Sequence, residues 1–217
     1  MLKRHLNWRQ CDLETGYIYR RETPADWQET ETLAREAFWN VYQPGCDEHY
    51  LLHIMRGNLA VVERLNYVCV DGDKICGHIF YTQTRVISDD GRSFEMLTFG
   101  PLSVAPAYQR QGIGSHLVQM TLHAAANEGY SGVVITGNPK YYQRFGFRPA
   151  ADFGITAEDG SSFPELMACE LGVDRLKPVH GRMHFCREFM QIDSEEALRF
   201  DRQFPYKERL KRPGQLR

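Results

Sequence analysis

No apolar run in this 217-residue chain approaches the roughly 18 residues that a membrane-crossing helix requires; Leu59 to Val62 is typical of what there is. The first ten residues carry Lys3, Arg4 and Arg9 with no apolar stretch behind them, so no signal peptide is expected. Neither sign of charge dominates. A formal net charge of -2 gives no electrostatic case for nucleic acid or an anionic membrane. The six cysteines, Cys11, Cys46, Cys69, Cys76, Cys169 and Cys186, form no C-x-x-C pair, and their spacing fits neither a zinc site nor a disulfide scaffold. Reduced thiols, mostly in the core of a cytoplasmic protein, are the expectation. Repeats, low-complexity tracts and linkers are missing too. What remains is ordinary globular composition, 42% hydrophobic and 25% charged, read as one domain.

The pattern of apolar residues and turn signals gives an α+β chain. Tyr17 to Arg21 reads as a short strand. Thr23 and Pro24 then open a helix with inward positions Trp27, Leu33, Ala34, Ala37, Phe38 and Val41, ended by Pro44-Gly45. A second helix runs from near Asp47 to Gly57. Tyr67 to Val70, Ile75 to Val86 and Phe94 to Val104 are strands separated by the hairpin signals Asp71-Gly72-Asp73 and Asp89-Asp90-Gly91, an antiparallel meander. A helix from Gly112 to about Asn127 and the strand Ser131 to Thr136 follow, which implies a parallel crossover. Asn138 and Pro139 open a short helix ending near Gly146. Leu166 to Leu171 and Arg182 to Phe185 read as strands, and Asp193 to Gln203 as a late helix.

The chemistry concentrates where the third meander strand meets the next helix. A strand running into a glycine-bearing turn and then a helix N-terminus gathers free N–H groups and the positive end of the helix dipole at one spot, and suits a pyrophosphate. The dinucleotide fingerprint G-x-G-x-x-G does not fit, because Gly112-Ile113-Gly114 is followed by Leu117 where the third glycine is needed. The G-K-[ST] of a P-loop is absent as well. The surviving pattern is Gln-x-x-Gly-x-Gly over Gln109 to Gly114. Taken alone, two glycines mark a turn and nothing more.

In its wider setting, Val104-Ala-Pro106-Ala-Tyr108-Gln109-Arg-Gln-Gly112-Ile-Gly114 resembles motif A of the GNAT acyltransferase superfamily, V-x-P-x-[YF]-[RQ]-x-x-G-x-[GA]. The family's second block, an Asn after the next strand and then Y-x-x-x-G-F, is matched by Asn138 and by Tyr142 to Phe147. The resemblance is specific over Phe94 to Pro149, looser over Tyr17 to Val86 and weak after Gly154, and the wording is most like the YhbS-like members. It implies a GNAT-type fold: a mixed, mostly antiparallel sheet splayed at the motif A strand and flanked by helices. One acyltransferase domain would span 1–217, with a core of 17–185 and a C-terminal extension of 186–217.

The resemblance also implies roles. Leu102, Ser103 and Val104 would pair with the pantetheine arm of acetyl-CoA, the Leu102 backbone N–H facing the thioester carbonyl as an oxyanion contact. Gln109 and the amides of Arg110, Gln111, Gly112, Ile113, Gly114 and Ser115 would hold the pyrophosphate. Asn138 would orient the cofactor or close the splay, and Tyr142 would protonate the departing thiolate. A small-molecule or peptide amine would attack the thioester directly, with no metal and no covalent enzyme intermediate.

Other residues have plainer readings. Tyr141 is expected to pack while Tyr142 acts. His116, Gln119, His123 and Asn127 form a stripe expected to face solvent. His49 and His53 sit four apart but lack the rest of an H-E-x-x-H site and a third ligand, which favours structural or acceptor-side roles. Thr98 stands where some members of the family carry a glutamate base, and Glu95 is expected on the opposite face of its strand. Proton removal through water is therefore expected, with His78 and Glu95 as further candidates. The missing carboxylate keeps a second reading open, a CoA-binding regulatory domain without turnover. The tail from Tyr206 carries five basic residues, Lys207, Arg209, Lys211, Arg212 and Arg217, with Glu208 among them. It is too short to argue for nucleic acid and leaves room for a homodimer.

Overall fold

A computed structural model describes Gln10–Cys11 and residues 16–215. The expectation about a leader segment over the first ten residues lies almost entirely outside that range. The elements in chain order are β1 (Gln10–Cys11), β2 (Ile18–Arg21), α1 (Trp27–Phe38), α2 (Glu48–Met55), β3 (Tyr67–Asp71), β4 (Lys74–Ile87), β5 (Ser93–Val104), α3 (Ile113–Asn127), β6 (Gly132–Thr136), α4 (Pro139–Tyr142), β7 (Arg148–Pro149), β8 (Ile155–Thr156), β9 (Leu166–Glu170), β10 (Gly181–His184), α5 (Arg187–Met190) and α6 (Ser194–Asp201).

One sheet takes them in the order β1-β2-β3-β4-β5-β6-β9-β7, with β10 beside the far end of β4 and β8 beside β10. Pairing is antiparallel except at β5–β6 and β8–β10. The mixed, mostly antiparallel sheet is the one expected. Its β5–β6 contact is a single register pair, Leu97 with Val133, beyond which the two strands part. β7 and β8 are too short to show an alternation and went unread in the sequence.

α3 packs on one face of the sheet through Ile113, Leu117, Val118, Thr121, Leu122 and Ala125, a stripe of helical period. Gly77 on β4 lets it approach: a Cβ there would lie 2.6 Å from the Ile113 side chain. The other face carries α1 and α2, where Ala34, Leu51, Leu52 and Met55 close over Phe80. Two helical expectations fail here. α1 stops at Phe38, so Val41 lies outside it and is 47% exposed. The loop instead turns at Asn40, whose backbone is left-handed and whose buried side chain accepts from Gly45 and Leu210. His116 is only partly exposed, because its ring stacks on Tyr19 at 4.1 Å while Gln119, His123 and Asn127 stay exposed.

The residues after His184 fold back over α1 and α2. Asp193 caps α6 by accepting from the N–H groups of Glu195 and Glu196. Asp201 then meets Arg35, which is buried to 2% exposure, at 2.6 Å, and His49 at 3.2 Å. Arg35 also donates to Pro205 O, and the main chain at Glu208 accepts from Trp39 and Asn40. Two basic residues of the tail are thus held against their own chain, Lys207 on Glu36 and Arg209 near Asp201. Asp201→Ala leaves the Arg35 charge buried without its partner. It is expected to cost about 3–5 kcal/mol, read as a lower urea midpoint with an unchanged m-value.

Candidate functional site

The open edge of β5 follows from its register with β4. Ala105 N–H donates to Cys76 O at 2.9 Å, and the ladder pairs His78 with Ser103 and Ile79 with Leu102. Hydrogen-bonded and non-bonded pairs alternate in an antiparallel ladder. Ser103 therefore turns its polar groups toward β4, while Leu102 and Val104 turn theirs the other way, into the gap left by β6. Gln109 marks this edge by donating its side-chain amide to Val104 O at 3.1 Å. A one-residue slip in the register puts Gly100 and Pro101 opposite Phe80 alone, a bulge that shifts the side-chain phase of β5. Leu97 and Phe99 before it thus share a face with Leu102 and Val104 after it, the α3 face.

After Val104 the chain makes a 3-10 turn at Pro106–Tyr108, then passes through left-handed backbone at Arg110 (φ 64°) and Gly112 (φ 89°) into α3. The first amide of the helix to find a backbone acceptor is His116, on Gly112 O at 2.9 Å. Those of Arg110 to Ser115 are left facing outward, as a helix start leaves them. Side chains hold the turn from outside. Gln111 donates to Ala107 O and accepts from the Tyr17 hydroxyl, and Tyr108 donates to Asp71 at 2.9 Å. Gln109 is committed to Val104 O rather than reaching forward. Free amides at a helix start make a place where an anion is stabilised.

β6 leads to the far side of the gap. Asn138 caps α4 by accepting the Lys140 N–H at 3.0 Å, so its carbonyl is used to start that helix. α4 presents Tyr141 and Tyr142 with rings perpendicular at 4.9 Å. Tyr142 packs on Phe99 at 5.8 Å and on Phe147 at 5.6 Å, on the face that carries Leu102. Its hydroxyl finds no hydrogen-bond partner among the described residues. Burial, then neighbouring Tyr141 and Tyr42, push its ionisation up, so it is a neutral phenol with a proton to give. Tyr141 packs on Phe145 as expected and also leans to the glycine turn, where a Cβ on Gly114 would lie 3.0 Å from its hydroxyl.

Gly137 went unnoticed in the sequence and holds this arrangement. A Cβ there would sit 2.4 Å from a Tyr142 ring carbon. Gly137→Ala is expected to displace that ring, at about 1–3 kcal/mol of overpacking. The check is a lower Tm together with a changed Tyr142 environment in ultraviolet difference spectra. A glycine between a strand and Asn-Pro was the only sequence signal.

The opposite wall belongs to α1 and α2. Leu33 of α1 joins Val68, Val70, Ile75 and Ala105 in one buried cluster at the end of β5. The loop that follows carries Tyr42, 49% exposed, near enough to bear on the ionisation of Tyr142. Glu48 opens α2 beside it. Burial pushes the Glu48 carboxyl up to about 7, against the pull of its own and the Asp47 N–H groups, with the Asp47 charge adding to the rise. Neither tyrosine loop nor acid shows a periodic signal; Asp47-Glu48 reads only as a helix start.

The other base candidates sit elsewhere. His78 is fully buried, 3.3 Å from Glu22, which Arg56 grips with both nitrogens at 2.7 and 2.8 Å. Burial works to raise the Glu22 carboxyl, but His78 and then Arg56 hold it at about 2. Glu95 is exposed and pairs across with Arg85, roughly 23 Å along β5 from Leu102. Thr98 faces Thr82 on the opposite side of the strand from Glu95, as the phase predicted. His49 lies against Cys46 and Asp201, and His53 lies on Glu31 and Phe200. No group of three or more His, Cys, Asp and Glu placed to hold a metal ion occurs among the described residues. Nor is any described helix long and apolar enough to cross a membrane.

The chain is similar to known proteins in part of its sequence and in its fold. Residues 63–149 match the acetyltransferase (GNAT) domain. The chain is 26% identical to the uncharacterised N-acetyltransferase YhbS of Escherichia coli K12 over 173 residues, 79% of this chain and 98% of that protein. The crystal structure of Escherichia coli YhbS, in complex with CoA, superposes with a TM-score of 0.72 at 24% identity, covering 82% of this chain and 93% of that one. A GNAT family acetyltransferase from Brucella melitensis, in complex with acetyl-CoA, gives 0.63 at 24% identity, covering 80% and 97%.

Proposed function

Because the chain carries a GNAT acetyltransferase domain at residues 63–149 on a GNAT-type fold, we propose that it is an acyl-CoA-dependent N-acyltransferase that moves an acetyl group from acetyl-CoA to a primary amine of a small molecule or peptide. The observation that carries the proposal is the open edge of β5. Leu102 and Val104 turn their polar groups into a gap that ends at the unfilled amides of the α3 start. CoA and acetyl-CoA are bound by the two structural relatives, which supports the same ligand here.

In this reading the pantetheine arm lies along Leu102 to Val104 as an extra strand, and the pyrophosphate sits on the amides of Arg110 to Ser115. Gln109 shapes the turn through Val104 O, and Asn138 acts through α4, which it caps. The Leu102 N–H stabilises negative charge on the thioester oxygen as the amine adds. Tyr142 supplies a proton to the sulfur as the C–S bond breaks. The chain works as one domain over 1–217, the extension of 186–217 bracing α1 and α2. A cytoplasmic setting rests on cysteine spacing alone.

The test is thiol release from acetyl-CoA across amines, polyamines, amino acids and peptide N-termini, beside calorimetric CoA binding. Release with at least one acceptor is expected. Tight CoA binding without release from any acceptor would instead favour a regulatory CoA-binding domain.

A further inference from the structure

We propose that Cys69 and Cys76 are a redox-active pair that closes to a disulfide under a hydroperoxide and, once closed, weakens CoA binding at the turn into α3; the effect on CoA rests on the cofactor reading above. The two sulfurs lie 3.5 Å apart on neighbouring strands, β3 and β4, and the Cys76 thiol donates to Cys69 O at 3.4 Å. A disulfide bond is about 2.0 Å long, so about 1.5 Å of closure completes it. The strand register brings the pair together. Cys69 pairs with Gly77 but Val70 with Ile75, so β4 carries one residue more than β3 at this point. That bulge breaks the alternation of side chains. Ile75 packs on the far face with Leu33 of α1, while Cys76 joins Cys69 in the core under α3. A Cβ on Gly77 would also stand on the α3 face, 3.1 Å from the Cys69 Cβ. The thiols of Cys46 and Cys169 instead point at main-chain carbonyls, those of Arg35, Phe145 and Glu170.

Both thiols are buried, yet each stands two residues from the exposed hairpin turn at 71–74. Fraying from such a turn is a low-cost opening that admits a small oxidant. With Cys76 ionised, the Cys69 S–H donates to it, which holds the Cys76 thiol below its ordinary ionisation against the effect of burial. The pair sits directly behind the glycine turn. Cys76 O accepts the Ala105 N–H at 2.9 Å just past the end of β5, and Asp71 accepts the Tyr108 hydroxyl. Cys69 and Cys76 share their core with Ile113 and Leu117, the first residues of α3 to pack on the sheet. Drawing Cys76 toward β3 therefore moves the carbonyl that fixes Ala105 and the surface on which α3 begins. The dithiol form holds the amides of 110–115 as described above, and the disulfide form displaces them.

The step balances. The Cys76 thiolate attacks one peroxide oxygen and the O–O bond breaks. Cys76 becomes a sulfenic acid, and the other oxygen leaves as an alcohol, or as water from hydrogen peroxide, after taking up a proton. The Cys69 sulfur then attacks the Cys76 sulfur. Its proton goes to the departing hydroxide, and water leaves as the S–S bond forms. Two thiols give up two electrons, which reduce one peroxide bond. A thiol reductant reverses the change by exchange.

The experiment treats the full chain with hydrogen peroxide, blocks remaining thiols with iodoacetamide in urea and maps tryptic peptides without reduction. Calorimetric CoA binding is measured beside it on the reduced and the oxidised protein. Trypsin cuts after Lys74, which parts residues 65–74 with Cys69 from residues 75–85 with Cys76. The two peptides are expected joined, two hydrogens lighter than their sum, and separate again after dithiothreitol. CoA affinity is expected to fall by about 5- to 150-fold on oxidation and to return on reduction. Separate alkylated peptides, or either cysteine joined to a different one, overturn the pair. A joined pair with CoA affinity unchanged overturns its hold on the turn. Cys69→Ala and Cys76→Ala are each expected to bind CoA as the reduced wild type does and to ignore peroxide. Peroxide sensitivity that survives in both assigns the effect to another group and overturns the proposal. Should either variant fail to fold, the wild-type peptide map and its CoA titration still decide. A reduced wild type that binds no CoA refutes the cofactor reading and the effect on it, while the peptide map independently decides the pairing.

Discussion

Tyr142→Phe is expected to lower kcat by about 10²–10⁴-fold while acetyl-CoA affinity stays within about twofold. The hydroxyl is needed only when the C–S bond breaks, because the thiolate then carries charge that the intact thioester lacks. An interaction confined to the transition state is read in kcat and not in ground-state binding. The structure sharpens the stability side of this result. The ring packs on Phe99 and Phe147, and phenylalanine keeps both contacts. The hydroxyl has no hydrogen-bond partner among the described residues, so its removal should leave Tm unchanged or slightly raised. Measuring kcat, acetyl-CoA affinity and Tm on one preparation decides the matter. Full turnover with a lowered Tm would make Tyr142 a packing residue.

Gly112→Val is expected to weaken CoA binding by more than about 100-fold while the chain stays folded. Gly112 holds φ at 89°, where a β-branched residue is strained by about 1–3 kcal/mol. Among the described residues a Cβ there meets no atom within 4 Å, so the added bulk enters open space at the turn. Gly129→Val separates strain from site. That glycine has φ 88° and equal room, at the other end of α3. It should lose similar stability and keep CoA affinity in calorimetry. Gly114→Val is the less clean variant, since its Cβ would also press on the Tyr141 hydroxyl at 3.0 Å. Equal CoA affinity in folded Gly112→Val would move the cofactor away from this turn.

Several residues mark how far the sequence could be read. The strand, turn and helix around Val104 to Gly114 were legible because a turn's backbone conformation and the free amides at a helix start are properties of contiguous residues. The same holds for Thr23, which with Asp26 forms a capping box before α1, and for Asn138, whose side chain starts α4. Apolar periodicity placed α3 and the meander, because 3.6- and 2-residue repeats need no knowledge of a partner.

Only the tertiary structure could decide the remainder. His116 lies on a stripe that reads as polar, yet Tyr19 from β2 covers it. The bulge opposite Phe80 sets which β5 side chains share a face, and it exists only in the pairing of β4 with β5. Arg35 is charged and nearly sealed from solvent because Asp201, from the other end of the chain, folds onto it. Glu48 reads locally as a helix-starting acid, and its elevated pKa comes from burial by distant segments. Local hydrogen bonding and periodicity were therefore determined by the sequence itself. Burial, electrostatic neighbourhood and strand phase were decided by segments that meet only when the chain folds, because desolvation and pairing depend on distance in space rather than along the chain.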